Sequence, residues 1–218
     1  GYHALMEARL NAMGTMEFES VVNPRGGVVA SGAVGAPSYN PMRPVDQYLK
    51  QCRRVGMSEE DMKRIFSEST FNAARLTKHA EDWFSLHNCL GLCHRLYISR
   101  FQSMETIQAM FSAVTGMELS CEELKQAAER SWVLWKILNA RVGFDRKDDR
   151  PPKTWFTPLK VGEEEFRLTD YYRTVDLDEG DIQRMLDDYY NERGWEKESG
   201  LPSRAKLEEL GLKEYDWR

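Results

Sequence analysis

The stretch SCEELKQAAERSWVLWKILNARVG, residues 120–143, predicts one long helix and favours an α-helical fold. Ser120 and Glu123 have the spacing of a capping box, in which each side chain accepts a hydrogen bond from the backbone of the other residue. Gly143 marks the end, because glycine tolerates the left-handed backbone that closes many helices. Apolar residues recur in between at steps of three and four, which is typical of a helix with one buried face. The predicted buried face consists of Leu124, Ala128, Trp132, Trp135 and Leu138.

The same signals on both sides of this stretch predict a mainly α, multi-helix domain. Ser58 starts one helix, since the three acids that follow it favour the positive end of the helix dipole. Gly194 ends another, and Pro202-Ser203 opens a short final helix that stops at Gly211. No alternating pattern predicts a strand. The main predicted helices span residues 45–54, 58–68, 71–88, 104–115, 120–142 and 178–193.

Residues 1–44 differ in composition from the helical part, residues 45–218. Residues 2–13 have helical spacing, and Gly14 follows as a predicted C-terminal cap. Residues 20–44 hold four prolines and four glycines, which exclude a regular helix there. This segment has little charge, so we expect it to pack against other atoms. Two interpretations stay open, a buried structural loop and a loop whose glycines let backbone N–H groups approach a cofactor.

The composition is that of a soluble protein, with 41% hydrophobic and 30% charged residues. The net charge of -5 and the scattered basic residues predict no nucleic-acid partner. No apolar run approaches the roughly 20 residues that a membrane span needs. The four cysteines are too few for a disulfide scaffold, so we expect the reducing cytoplasm. The chain begins with Gly1 and not with Met, which we interpret as part of a longer protein.

Cys89 and Cys93 form a C-x3-C pair, and they are the cysteines with spacing that suggests a metal site. A zinc or four-iron site needs four ligands, and Cys52 and Cys121 show no paired spacing. Cys93 is therefore either a buried core residue or one ligand of a site whose other ligands lie upstream. His87 and His94 flank the pair as possible acid–base groups or structural residues. No known nucleophile motif or phosphate-binding loop is present.

Residues 88–93, Asn-Cys-Leu-Gly-Leu-Cys, resemble the D-x-x-G-L-C motif of the aldehyde ferredoxin oxidoreductases. The preceding stretch, residues 76–87, is similar to the family's approach to this motif. Residues 185–212, MLDDYYNERGWEKESGLPSRAKLEELGL, resemble the C-terminal segment of the family. That segment consists of a long helix, the residues RGW, a Gly-Leu-Pro turn and a short helix. Residues 151–159, PPKTWFTPL, resemble the proline-containing connection before it. The order of these pieces makes the resemblance more specific than any one of them.

The resemblance implies a tungsten (or molybdenum) ion held by two pterins beside a [4Fe-4S] cluster. Three cluster cysteines of the family come from a C-x2-C-x3-C run in an earlier domain, and the fourth corresponds to Cys93. Asn88 falls where the family has an acid that binds a pterin ring nitrogen, and Leu92 lines the pterin site through its backbone. Arg25 and Gly26 match the start of an R-G-x-x-H stretch, with Arg25 in contact with the pterin system. The resemblance does not identify a catalytic residue in this chain.

Two positions depart from the family pattern. Asn88 can still accept a hydrogen bond, but it loses the charge-assisted part, about 1 kcal/mol. Val29 stands where the family has a histidine near the metal, and valine cannot transfer a proton.

The resemblance thus implies the C-terminal part of an enzyme that oxidises an aldehyde to a carboxylic acid. Its electrons would pass to ferredoxin or to a partner iron–sulfur subunit, and its other partners would be the upstream domains of the same enzyme. One alternative is the tungsten subunit of an aromatic acyl-CoA reductase-like complex. The others are a non-catalytic interaction module that keeps the fold, and a helical domain with a chance motif.

Overall fold

The structure is a computed structural model, and it describes residues 7–24, 42–92 and 103–216. Within these ranges the chain is mainly α-helical, as predicted. The α-helices are α1 Ala8–Asn11, α2 Thr15–Val22, α3 Val45–Arg54, α4 Glu59–Ile65, α5 Ala73–Cys89, α6 Met104–Thr115, α7 Cys121–Arg141, α8 Glu179–Arg193 and α9 Arg204–Glu209. Two short antiparallel hairpins, which the sequence did not predict, pair β1 Leu159–Val161 with β2 Glu164–Phe166 and β3 Trp195–Glu196 with β4 Leu201–Pro202. None of the helices in the described ranges has the length and apolarity to cross a lipid bilayer.

The predicted helix caps at Ser120, Ser58 and Gly194 are confirmed. Ser120 Oγ accepts from the Glu123 backbone N–H at 3.2 Å, and Glu123 Oε2 accepts from the Ser120 backbone N–H at 2.8 Å. Ser58 Oγ accepts from the backbone N–H of the third residue after it at 3.0 Å, and Gly194 closes α8 with φ +67°. One boundary was wrong, because α4 ends at Ile65 and not at residue 68. The chain turns extended at Phe66, which forms a β-bridge with Phe71.

The N-terminal part holds a helix that the sequence did not predict. Gly14 does not end a helix but begins α2, and its N–H donates to Glu17 Oε2 at 3.1 Å. Ser20–Val22, in the segment expected to be free of helix, forms the last turn of α2. Of the eight residues of α2, seven are buried. A helix that is buried on all sides shows no amphipathic period, so the sequence pattern gave no signal for it.

Helix α5 lies at the centre of the fold and packs against α2, α7 and α8. The buried face of α7 is partly the predicted one, since Leu124, Ala128 and Trp132 are buried. Leu138, however, is 57% exposed, and Ile137 takes its place in the core at 1%. The apolar spacing predicted the wrong face at the C-terminal end of α7 because a charged residue, Lys136, lies on the buried face. Its ammonium is 2.7 Å from Asp149 Oδ2, which offsets the cost of burying the charge.

A buried guanidinium joins α5, α8 and the β3–β4 hairpin. The Arg193 side chain is fully buried, and its Nη2 donates to Glu81 Oε2 at 2.5 Å. Its Nη1 lies 3.1 Å from Asp82 Oδ1, and its Nε donates to the Tyr189 hydroxyl at 2.9 Å. The guanidinium carbon is also 5.5 Å from the ring centroid of Trp195. Arg193 and Trp195 are the first and last residues of the RGW segment, so this segment acts as a core contact.

The Gly-Leu-Pro turn packs on the same core. Gly200 has φ +66°, a left-handed conformation that side chains with a Cβ rarely adopt. A Cβ placed on Gly200 would lie 2.9 Å from the Tyr190 ring, which is fully buried. The glycine therefore permits both the turn and the close approach of the turn to α8. Leu201 and Pro202 then pair with β3 and lead into α9.

We predict that Ile137→Ala lowers the free energy of unfolding by about 2–4 kcal/mol, because it leaves a cavity in the core. Leu138→Ala, one residue away on the exposed side, should change it by about 0.5 kcal/mol or less. Urea unfolding followed by circular dichroism measures both. Equal losses at the two positions would show that the assigned buried face of α7 is wrong.

We predict that Arg193→Leu lowers the free energy of unfolding by about 3–5 kcal/mol, because the buried Glu81 carboxylate loses its cation. Arg184→Leu is the matched control, since Arg184 lies on the same helix and pairs with Asp181 but is 70% exposed. Its loss should be about 0.5 kcal/mol, as for other surface ion pairs. Urea unfolding of both variants compares them, and a similar loss at both would contradict the structural role of Arg193.

Candidate functional site

The segment that resembles the D-x-x-G-L-C motif ends helix α5 in a Schellman turn. Gly91 has φ +69°. Its N–H donates to the Asn88 carbonyl at 3.0 Å, and the Leu92 N–H donates to the His87 carbonyl at 2.8 Å. This pair of bonds satisfies two of the carbonyls that a helix end leaves free, and it needs a residue that tolerates the left-handed region. The glycine of the motif therefore acts as a helix stop.

Buried side chains hold this end of α5 in place. His87 is fully buried, and its Nδ1–H donates to the Trp83 carbonyl one turn earlier at 2.8 Å. The Trp83 and His87 rings meet edge to face, with centroids 4.6 Å apart. This environment supports the structural interpretation of His87 and not the acid–base one. Asn88 and Cys89, which follow directly, are exposed.

The predicted site residues divide into two groups. Asn88 is exposed and Leu92 is half-buried, and both lie at the C-terminal end of α5. Arg25, Gly26 and Cys93 lie outside the described residues, so their roles stay predictions. The same holds for Val29 and His94.

The other cysteines fit structural roles. Cys52 is 2% exposed, and burial raises the pKa of its thiol to about 12, so it stays neutral. Cys121 is half-buried in the first turn of α7 and packs on the cluster around Trp83. Cys89 is exposed, in agreement with a variable position of the motif. Within the described ranges the cysteines form no disulfide.

Sequence analysis missed a group of three possible metal ligands. Donor atoms of Asp61, His79 and Glu192 all lie within 4.8 Å of one another. No sequence spacing could reveal the group, because its members come from α4, α5 and α8. The Glu192 carboxylate, however, already accepts from Arg64 at 2.9 Å and Arg75 at 3.1 Å. Two guanidinium groups would repel a metal ion, so this group is an ion-pair network that links three helices.

The pKa directions agree with that assignment. Burial opposes ionisation of Glu192, but hydrogen bonds from His79 and Arg64 bring its pKa to about 2. Burial lowers the pKa of His79, which donates its Nε2–H to Glu192 at 2.9 Å as a neutral ring. The network therefore keeps its charges at neutral pH without a metal ion.

A cavity of about 260 Å³ lies between the α3–α4 turn, α5 and α7. Lys78 lies on its wall, with its ammonium 2.8 Å from Asp82 and 3.8 Å from Glu129. Burial alone would raise the pKa of Asp82, but the charges of Lys78 and Arg193 hold it at about 2. These wall charges are engaged with one another, which favours a structural role for the cluster.

The exposed end of α5 has the chemistry of a hydrogen-bond acceptor. A helix C-terminus concentrates partial negative charge on its carbonyls, and the exposed Asn88 amide adds another acceptor. Among the described residues other than its chain neighbours, no atom lies within 4 Å of the position where a Cβ on Gly91 would be. Such a surface fits the N–H donors of a pterin ring. The residue implied as the cluster ligand follows one position after Leu92.

Comparison with known proteins agrees with the motif. The family model described as aldehyde ferredoxin oxidoreductase, domains 2 & 3, matches residues 7–212. The tungsten-containing aldehyde ferredoxin oxidoreductase of Thermococcus kodakarensis is 28% identical over 137 residues, which are 62% of this chain and 20% of that protein. The protein of the same name from Pyrococcus furiosus is 29% identical over 137 residues, with the same two shares. The chain thus spans about a fifth of the length of these relatives.

A solved structure shares the fold. It is the active site complex BamBC of benzoyl coenzyme A reductase in complex with 1,5 dienoyl-CoA. The TM-score is 0.62, and the match covers 95% of this chain and 31% of that chain at 17% identity. At this identity the likeness concerns the fold alone.

We predict that Gly91→Ala lowers the free energy of unfolding by about 1 kcal/mol, because alanine disfavours φ +69°. Gly116→Ala is the matched control, since Gly116 ends α6 with φ +70° and has equally open surroundings. Gly91→Asn should recover part of the loss, because asparagine tolerates the left-handed region. Urea unfolding measures all three. A clearly larger loss at Gly91 than at Gly116 would show that the space beside Gly91 is filled.

Proposed function

This chain belongs to the aldehyde ferredoxin oxidoreductase family, and we propose that it is the C-terminal part of a tungsten–pterin, iron–sulfur oxidoreductase that oxidises an aldehyde to a carboxylic acid. The exposed Schellman end of α5 supports the proposal most directly, because the resemblance assigns this segment to cofactor contact. The relatives' names supply the metal and the class of reaction.

Each site residue has a proposed role that follows from its chemistry. The Asn88 amide accepts a hydrogen bond from a pterin ring nitrogen, and the open backbone at Leu92 borders the same ring. Arg25 and Gly26 contact the pterin system from the glycine-rich segment, through a fixed positive charge and close backbone approach. Cys93 supplies one thiolate ligand to a [4Fe-4S] cluster, and three cysteines upstream of this chain supply the others.

The metal centre, tungsten or molybdenum, supplies the redox chemistry when it is bound. The helical domain holds the residues at the end of α5 that are proposed to contact the cofactor in fixed positions. Glu81 and Asp82 tie α5 to Arg193, and His87 fixes the last turn of α5. This rigidity matters because contacts to a cofactor are effective only when the supporting residues hold them in place.

The proposed electron acceptor is ferredoxin or an iron–sulfur subunit, and the proposed location is the cytoplasm. Cys52, Cys89 and Cys121 are free, which suits a reducing compartment. The upstream domains of the same enzyme are the proposed structural partners. The net charge of -5 gives no support to a nucleic-acid partner.

A second candidate function is the tungsten subunit of an aromatic acyl-CoA reductase-like complex. Val29, in the place of a histidine, removes a proton-transfer group that aldehyde oxidation is expected to use. The shared fold with the BamBC complex makes this class the natural competitor. Assays of the complete enzyme with an aldehyde and an electron-accepting dye, and with benzoyl-CoA and a reductant, separate the two functions.

We predict that Cys93→Ser, in the complete enzyme, loses or alters the electron paramagnetic resonance signal of the cluster, because a serine hydroxyl cannot replace the thiolate without changing the cluster. Cys89→Ser should keep the signal, since Cys89 is exposed and lies on a variable position of the motif. The two cysteines are four positions apart in the sequence, which makes Cys89 a matched control.

Metal analysis of the same preparations tests the proposal as a whole. We expect tungsten or molybdenum together with four irons in the unsubstituted enzyme. A signal lost at Cys89 and kept at Cys93 would show that the motif register is wrong. An enzyme without metal, indifferent to both substitutions, would favour a non-catalytic module.

A further inference from the structure

Helix α6 is anchored to the domain by one end. Of its twelve residues only Met104 and Ile107 are buried, and both lie in its first half. A Cβ placed on Gly56, in the α3–α4 turn, would lie 3.0 Å from the Met104 Cβ, so this end is closely packed. In the second half of α6, Phe111 packs on the core, whereas most of the other side chains are exposed. An isolated helix of about 12 residues is only marginally stable in water, so this half gains from a further contact.

The outer face of α6 is apolar. Met110 and Val114 lie four residues apart on α6, and Met117 follows Gly116, which ends the helix. The three residues are 49%, 84% and 53% exposed. No charged residue occurs from Thr106 to Met117, in a chain with 30% charged residues. Single exposed apolar residues are common, but a group of them in a segment without charge is typical of an interaction surface. We call these three residues the α6 stripe.

Helix α6 packs on the same core cluster as the end of α5. Leu90, next to the Schellman turn of α5, packs on the same cluster as Phe111 of α6. That cluster also contains Trp83, which supports the last turn of α5. The same core cluster therefore supports both the last turn of α5 and helix α6.

The surroundings of the stripe define the charge of its partner. Glu105 lies before the stripe in the sequence and Glu118 directly after it, and both are exposed. A complementary surface would have an apolar centre and basic residues at its rim, which is the usual arrangement of protein interfaces.

We propose that the α6 stripe docks the cofactor-carrying part of the same enzyme, through an apolar patch with a basic rim. The length of the family proteins supports this occupant, because the chain spans 20% of its relatives and matches domains 2 & 3 of the family model. The proposal rests on the proposed function, since it takes the pterins and the three other cluster cysteines to lie in that part.

Cysteine labelling of the complete enzyme tests the stripe. Val114→Cys places a thiol on the stripe, and Val161→Cys places one on the β1–β2 hairpin, where Val161 is 52% exposed. Both variants are treated with a maleimide and followed by peptide mass spectrometry, alongside tungsten and iron analysis of each sample. We expect position 114 to be labelled at least about tenfold more slowly than position 161, because a packed interface excludes the reagent.

A second variant tests the energetics. Val114→Lys should lower the urea midpoint at which the complete enzyme releases its metal, since a charge is then buried at the interface. Val161→Lys should leave that midpoint unchanged. Labelling of this chain without the cofactor-carrying part provides the reference, in which position 114 should react as fast as 161.

The outcomes separate the two proposals. Tungsten and iron present, with position 114 labelled as fast as 161, overturn the docking surface and leave the function intact. Metal absent, with position 114 protected by the upstream part, upholds the surface and overturns the function. Protection already present in the isolated chain, or caused by a second copy of it, overturns the proposed occupant.

Discussion

The positive charge of Arg193 lies at the centre of the domain, and the surrounding helices are arranged to neutralise it. Burial of an unpaired guanidinium would cost several kcal/mol, so its acceptors must be in place. Glu81 and Asp82 come from α5, Tyr189 from α8 itself, and the Trp195 ring from the hairpin that follows. Burial raises the pKa of Glu81 to about 7, although Arg193 opposes the shift. A contact of this kind specifies one relative placement of α5 and α8, because any other leaves a buried charge unpaired.

The candidate site depends on the same placement. Helix α5 is fixed by Arg193 near its middle and by His87 in its last turn, and it then ends in the exposed Schellman turn. The ion pairs of Glu192 with Arg64 and Arg75 connect α8 to α4 and α5 on the outer side. The acidic side chains of this region hold helices together and leave no carboxylate of the network free for a metal ion. The domain therefore provides a rigid support for the exposed turn at the end of α5.

The structure also changes the meaning of the segments that carry the family resemblance. The RGW and Gly-Leu-Pro pieces are core contacts, since Arg193 is fully buried and Gly200 fits against Tyr190. The D-x-x-G-L-C piece is different, because Gly91 serves to end a helix and the side chain of Asn88 stays exposed. The RGW and Gly-Leu-Pro pieces stabilise the fold, whereas the D-x-x-G-L-C piece places the Asn88 side chain at the surface. A resemblance built from both supports the family more strongly than it supports an activity.

The sequence by itself determined the helical class, most helix boundaries and the family, because caps, glycine stops and motif spacing are local properties of the chain. Ser120, Ser58 and Gly194 all act as predicted. Only the tertiary structure decided which face of α7 is buried, since Lys136 enters the core to meet Asp149. It also decided that α2 is a helix and that Asp61, His79 and Glu192 meet, because total burial removes periodicity and the three residues are brought together by packing. Asn88 was predicted as a site residue from its motif, whereas its exposure depends on how α5 ends in the structure.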